Sequence, residues 1–95
     1  MTRDEIAGAV KAILGGIAPE VDLGAVPADA DLREELDLDS MDFLRFVVRL
    51  HERLGVSVPE ADYPRIRTLD GCAEYLAGKG AALVPAGPAG APGRG

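Results

Sequence analysis

The sequence predicts an all-α domain, a four-helix bundle with a long loop between helices 1 and 2 and a short helix 3. Three observations carry that expectation. Apolar residues recur at helical spacing in separate stretches, and glycine and proline fall between them. Hydrophobic residues make up 47% of the chain while aromatics make up only 4% and tryptophan is absent, so the core must be built from Leu, Ile, Val and Ala, which suits packed helices better than a sheet sandwich. A chain of 95 residues has room for one compact domain.

Helix 1 starts on Thr2-Arg3-Asp4-Glu5, which has capping-box spacing: the Thr and Glu side chains can each satisfy the other's unbonded backbone donor. Ile6, Val10, Ile13 and Ile17 recur on one face, and Gly15-Gly16 offers a place to stop, so the helix is expected over about residues 3–16. From Ala18 to Asp39 regularity fails at Pro19, Gly24 and Pro27, and Asp29, Asp31, Glu34, Glu35, Asp37 and Asp39 crowd the end of the segment. A connection this long without structure of its own is uncommon in a compact domain and tends to be functional or disordered. Its Val21, Leu23, Val26, Leu32, Leu36 and Leu38 predict a loop held down on the core.

Helix 2 is predicted from Ser40 or its neighbour to Leu54, closed by Gly55. Phe43, Phe46, Val47, Leu50 and Leu54 form its core stripe. Met41, Leu44 and Val48 occupy a separate arc beside Arg45 and Glu52, wider than burial against one neighbour requires, which predicts contact with a partner. Val56 to Pro59 is extended, and Pro59 opens a short helical turn to about Tyr63 that Pro64 is expected to end. Thr68 or Asp70 caps a last helix with Leu69, Cys72, Ala73, Tyr75 and Leu76 on its apolar side, ending at Gly78. The domain is thus expected over residues 1–78. Residues 79–95, rich in Gly, Ala and Pro, read as a disordered tail.

A net charge of -6 disfavours nucleic acid and anionic membranes and favours protein partners with basic docking surfaces. Cys72 is the only cysteine, which excludes an internal disulfide and a cysteine-based zinc cluster. The charged N-terminus lacks the apolar core and cleavage site of a signal peptide, and no apolar run is long enough to span a bilayer, so a cytoplasmic protein is expected. No heptad seam runs over several turns, which makes a monomer the expectation.

Chemistry is concentrated in Leu36-Asp37-Leu38-Asp39-Ser40-Met41-Asp42-Phe43. A serine hydroxyl at a helix start lies where unbonded N–H groups and the helix dipole favour an attached phosphate. Serine is a poor nucleophile without a hydrogen-bonded base. The single histidine, His51, lies roughly 16 Å further along the helix at 1.5 Å per residue, which disfavours a hydrolase. An EF-hand needs Gly at its sixth position and Glu at its twelfth. Starts at Asp29, Asp31 and Asp37 place Glu34 and Ser40, Leu36 and Asp42, and Asp42 and Val48 there, so no metal site is predicted. Cys72 and His51 read as packing or surface residues, and an unmodified helical adaptor with Ser40 as an ordinary cap stands as the alternative to a modified serine.

These residues resemble the acyl carrier protein family of phosphopantetheine-binding carriers, in the form of a discrete bacterial-type member. Asp39-Ser40-Met41 matches the family's Asp-Ser-Leu signature at the start of the second helix, with Met for Leu, and the likeness extends over about residues 3–78 through Leu54 to Pro59 and the Thr68-Leu69 helix start. The resemblance implies a chain that catalyses nothing itself. Covalent 4'-phosphopantetheine on Ser40, presented by Asp39 and Met41, would hold acyl or aminoacyl groups as thioesters. It also implies as partners a phosphopantetheinyl transferase and the acyl- or aminoacyl-loading and acyl-processing enzymes, met through Asp42, Leu44, Arg45 and Val48. Two features depart from the family pattern: Asp37 stands where glycine is common, and Arg45, Arg49 and Arg53 replace the acidic character of helix 2 in fatty-acid carriers. A specialised pathway, polyketide, nonribosomal peptide or another acyl route, is therefore expected.

Overall fold

The computed structural model describes residues 1–84. The chain forms α1 (Arg3–Ile17), a 3-10 turn (Leu23–Ala25), α2 (Leu32–Glu35), α3 (Ser40–Leu54), a 3-10 helix (Glu60–Ile66) and α4 (Leu69–Gly78), with no strand among the described residues. α3 is the predicted helix 2, the 3-10 helix the predicted helix 3. α1 packs against both α3 and α4, and their apolar stripes meet in one core of Ile6, Val10, Leu14, Phe46, Leu50 and Leu76.

The Thr2 capping box forms as the sequence requires: the Glu5 N–H donates to Thr2 Oγ1 at 3.1 Å and the Thr2 N–H to Glu5 Oε1 at 2.7 Å. The helix end differs from expectation. Gly15 and Gly16 remain helical through Ile17, and the Ala18 N–H closes the last turn on the Leu14 carbonyl at 2.8 Å. Ala18 is itself buried, so tertiary packing carries the helix past two residues that favour stopping it.

The long connection is tied to the core, as its apolar residues predict, with Val21, Leu23 and Val26 half-buried against it. Leu32, Leu36 and Leu38 are buried. The Leu32 N–H donates to the Arg67 carbonyl at 2.7 Å and the Asp70 N–H to the Ala28 carbonyl at 3.0 Å. Arg67 also pairs with Asp31 at 2.7 Å. Burial pushes the Asp31 carboxyl up, but hydrogen bonds from Arg67 and from the backbone N–H groups of Arg33 and Glu34, with the Arg67 charge, outweigh it and hold the group below its ordinary value.

Within this connection lies a short helix, α2, where the sequence predicts loop. Asp31 caps it, accepting from the Arg33 N–H at 2.9 Å. It ends in a Schellman motif: the Leu38 N–H reaches the Arg33 carbonyl at 2.9 Å, the Asp37 N–H the Glu34 carbonyl at 3.4 Å, and Asp37 takes φ 53°. The left-handed residue three before Ser40 is thus an aspartate in the conformation that glycine adopts without steric cost. Asp37→Gly is expected to stabilise the fold by about 0.5–1 kcal/mol, seen as a rise in Tm of a few degrees, because relief of that strain exceeds the entropy glycine adds to the unfolded chain.

The third predicted helix runs further than expected. Pro64 lies inside the 3-10 helix rather than ending it, and the segment continues to Ile66, which is fully buried. Tyr63 meets the Phe43 ring edge-on at 5.3 Å between centroids. Packing of Tyr63 and Ile66 on either side of Pro64 outweighs the lost proline donor. Thr68, not Asp70, caps α4, accepting from the Gly71 N–H at 2.9 Å. Cys72 is buried, its Sγ donating to the Ile66 carbonyl at 3.4 Å, and burial pushes its thiol up to about 12. It is a core residue, as the sequence predicts.

Of the segment expected as a tail, residues 79–84 turn back across the end of α3. Gly80 takes φ 72°, Ala81 is buried, and the Ala82 and Val84 N–H groups donate to the carbonyls of Leu54 and Arg53 at 3.3 and 2.9 Å. They satisfy carbonyls that the last turn of α3 leaves unbonded. Residues 85–95 of the expected tail lie outside the described residues.

Candidate functional site

Ser40 is the first residue of α3, and its position follows from its two acidic neighbours. Asp39 is the N-cap, with Oδ1 accepting from the Asp42 N–H at 2.8 Å. Asp42 completes a capping box through Oδ2, which accepts from the Asp39 N–H at 3.4 Å. The cap is thus Asp39 and not Ser40. Because the aspartate takes the capping bond, the serine hydroxyl enters no side-chain hydrogen bond among the described residues and stays exposed. The N–H groups of Ser40 and Met41, in the first turn, have no acceptor within the helix, and the dipole of a 15-residue helix adds to their attraction for an anion.

Beside Ser40 lies a cleft of about 250 Å³ lined by Arg33, Phe43, Leu44, Glu60 and Tyr63. The Arg33 guanidinium stands over the Phe43 ring at 5.7 Å, so a fixed cation shares this cleft with the serine. Arg33, Glu60 and Tyr63 were not singled out from the sequence. Arg33 belongs to α2, where the sequence predicts loop, and Tyr63 enters the sequence analysis only as the expected end of the short third helix; the signal for Arg33 was the Asp31 cap two residues before it.

Further along α3, Met41, Leu44 and Val48 are 62, 45 and 52% exposed, so the apolar arc read from the sequence faces solvent. Arg45 is exposed next to it. Asp42 is half-buried, its carboxylate turned back to the cap. His51 is exposed, and no other histidine exists to serve as a base for Ser40. No group of three or more potential metal ligands comes together among the described residues, and no helix among them is long and apolar enough to cross a membrane.

The family of phosphopantetheine attachment sites matches residues 4–76, most of the chain. The chain belongs to the acyl carrier protein family. It is similar to polyketide-8 synthase acyl carrier protein 2 of Streptomyces avermitilis, 40% identical over 60 residues that cover 63% of this chain and 69% of that protein. It is similar also to the acyl carrier protein of Renibacterium salmoninarum, 32% identical over 62 residues, covering 65% and 72% of the two chains. A third relative, the acyl carrier protein of Thermosynechococcus vestitus, is 30% identical over 82 residues, 86% of this chain and all of that one.

As an acyl carrier protein the chain bears 4'-phosphopantetheine covalently on a serine, and it carries rather than catalyses. Family membership brings with it a phosphopantetheinyl transferase and acyl-processing enzymes as partners. The adaptor alternative and the hydrolase reading both give way to this match. The chain contains two serines, Ser40 and Ser57, and both are exposed. Ser57 lies in an irregular segment between buried Val56 and Val58, three residues before the 3-10 helix and at no α-helix start.

Proposed function

We propose that Ser40 is the serine that carries the arm, and that the chain serves a specialised acyl pathway of polyketide type in a bacterial cytoplasm. The observation that carries the assignment is the division of labour at the start of α3. Asp39 caps the helix, and Ser40 keeps an exposed, unbonded hydroxyl beside two N–H groups that lack a helical acceptor. These residues fit the group: the first-turn N–H groups and the dipole favour the phosphodiester, Arg33 supplies a cation in the adjoining cleft, and Ser40 is itself exposed. When bound, the arm supplies a thiol on which an acyl or aminoacyl group rides as a thioester. The chain's own residues hold the phosphate end in place and offer α3 to the enzymes that load and process the cargo.

The pathway assignment is supported by the similarity to a polyketide synthase carrier and by the arginines of α3, which differ from the acidic second helix of fatty-acid carriers. Intact-protein mass spectrometry after incubation with coenzyme A, magnesium and a broad-specificity phosphopantetheinyl transferase tests the serine assignment. One phosphopantetheinyl mass gain is expected in the wild type and in Ser57→Ala, and none in Ser40→Ala. A gain that survives Ser40→Ala and disappears in Ser57→Ala would overturn it.

A further inference from the structure

α3 carries three arginines at successive four-residue intervals, Arg45, Arg49 and Arg53, all exposed. Four residues advance a helix by slightly more than one turn, so the three guanidinium groups form one stripe. It begins about 7 Å beyond Ser40 along the axis and extends about 12 Å further at 1.5 Å per residue. The acidic residues nearest it partner only the middle arginine. Glu52 pairs with Arg49 at 3.5 Å, and the Asp42 carboxylate is engaged in the cap. Arg45 and Arg53 enter no ion pair among the described residues.

The stripe borders the exposed apolar arc. A shallow depression of about 380 Å³ is lined by Met41, Leu44, Val48, Arg45, Arg49 and Glu52, so apolar groups, two arginines and the carboxylate that pairs with Arg49 share one surface. A second, of about 210 Å³, lies between all three arginines and the end of α1 at Ile13, Gly16 and Ile17. The side of Ser40 toward the preceding loop has the opposite sign, with Glu34, Glu35, Asp37 and Asp39 exposed. The net charge of -6 therefore hides a local reversal next to the modified end of the helix.

We infer that the Arg45, Arg49 and Arg53 stripe, with Met41, Leu44 and Val48, docks a partner enzyme whose carrier-binding surface is an apolar socket edged by carboxylates. This rests on the assignment of Ser40 as the carrying serine, which fixes the end of α3 that must approach the enzyme's active site. Charge complementarity determines the occupant. Three cations on one helix face favour an acidic surface, steer its approach and repel a basic one. The adjacent apolar residues require a socket rather than a bare charge. An extended polyanion covering the stripe would also meet Asp37 and Asp39, so a discrete protein patch fits better than nucleic acid or a lipid surface. The general expectation of basic docking surfaces drawn from net charge is thus reversed for this helix.

The test uses a fatty-acid ketosynthase with a lysine- and arginine-rich carrier-docking surface, and the same enzyme with three of those residues changed to glutamate. The chain is loaded on Ser40 with a pantetheine analogue whose electrophilic end alkylates the ketosynthase cysteine, and loading is checked by intact mass before mixing. At low salt the wild-type chain is expected to cross-link about tenfold faster to the glutamate version, with the advantage fading at high salt. The chain variant R45E/R49E/R53E is expected to reverse the preference, and R45Q/R49Q/R53Q to abolish it. A wild-type preference for the basic version, or no difference between the two, would overturn the docking assignment. Absence of loading would instead count against Ser40, and amide chemical shifts of α3 in the unloaded chain, titrated with the two ketosynthases, decide the docking question without the arm. Larger α3 shifts with phosphatidylglycerol vesicles than with either enzyme would also overturn it by assigning the stripe to a lipid surface.

Discussion

Gly71→Ala is expected to cost the fold about 2–3 kcal/mol and to lower Tm on the order of 10 °C or more, measured by thermal and urea unfolding. A β-carbon at position 71 would stand 2.5 Å from the Arg65 carbonyl oxygen and 2.9 Å from Thr68 Oγ1. The first of these atoms is backbone and cannot rotate away. To make room, α4 must shift from the 3-10 helix, and the shift breaks the capping bond from the Gly71 N–H to Thr68, itself worth about 1 kcal/mol. The sign is the informative part. In a helix without neighbours, glycine to alanine gains about 0.5–1 kcal/mol, because alanine loses less backbone freedom on folding. Gly8 in α1 is such a site, exposed and with nothing within 4 Å of the added carbon. Gly8→Ala is therefore expected to raise Tm where Gly71→Ala lowers it. Equal shifts for the two variants would show that α4 yields without loss.

The contrast between these glycines also shows what the sequence can and cannot express. Capping and periodicity are local, and they located α1, α3 and α4, with the start of α1 at Thr2, that of α3 at Ser40 or its neighbour and that of α4 at Thr68 or Asp70, between which the structure chooses Thr68. Where tertiary packing decided, local signals failed. Gly15-Gly16 looks like a stop, yet buried Leu14 and Ala18 on either side keep the turn closed. Pro64 looks like a terminator, yet the segment continues because Tyr63 and Ile66 are anchored on either side of it. α2 is four residues long, too short for periodicity to register, although Asp31 before Leu-Arg-Glu-Glu was a readable cap. The serine, its neighbours and the exposed arc were legible because they lie on one amphipathic helix whose faces the sequence fixes. Arg33 and the cleft were not, because they require α2 and the 3-10 helix to be brought beside Ser40 by the core.

Asp39→Ala is expected to slow loading of Ser40 by the transferase about tenfold while destabilising the domain by only about 1 kcal/mol. The two effects have one origin. With the carboxylate gone, the Asp42 N–H loses its acceptor and the reciprocal bond from the Asp39 N–H loses its purpose. Serine is a good N-cap, so Ser40 can take over that role one residue later, turning its hydroxyl oxygen inward to accept from the Phe43 N–H. The group that must react is then engaged in a hydrogen bond and set one position back from the helix start. Asp39→Asn separates this cause from a direct role of the charge, because asparagine caps as well as aspartate but is neutral. The asparagine variant is expected to keep wild-type Tm within about 2 °C and most of the loading rate. Initial rates of mass gain, measured at several carrier concentrations, distinguish the possibilities. Loss of rate in both variants, with Tm preserved in asparagine, would mean that the transferase reads the negative charge itself. An unaltered rate in the alanine variant would mean that Ser40 reacts whether or not its neighbour takes the cap, and the division of labour at the start of α3 would then have no bearing on modification.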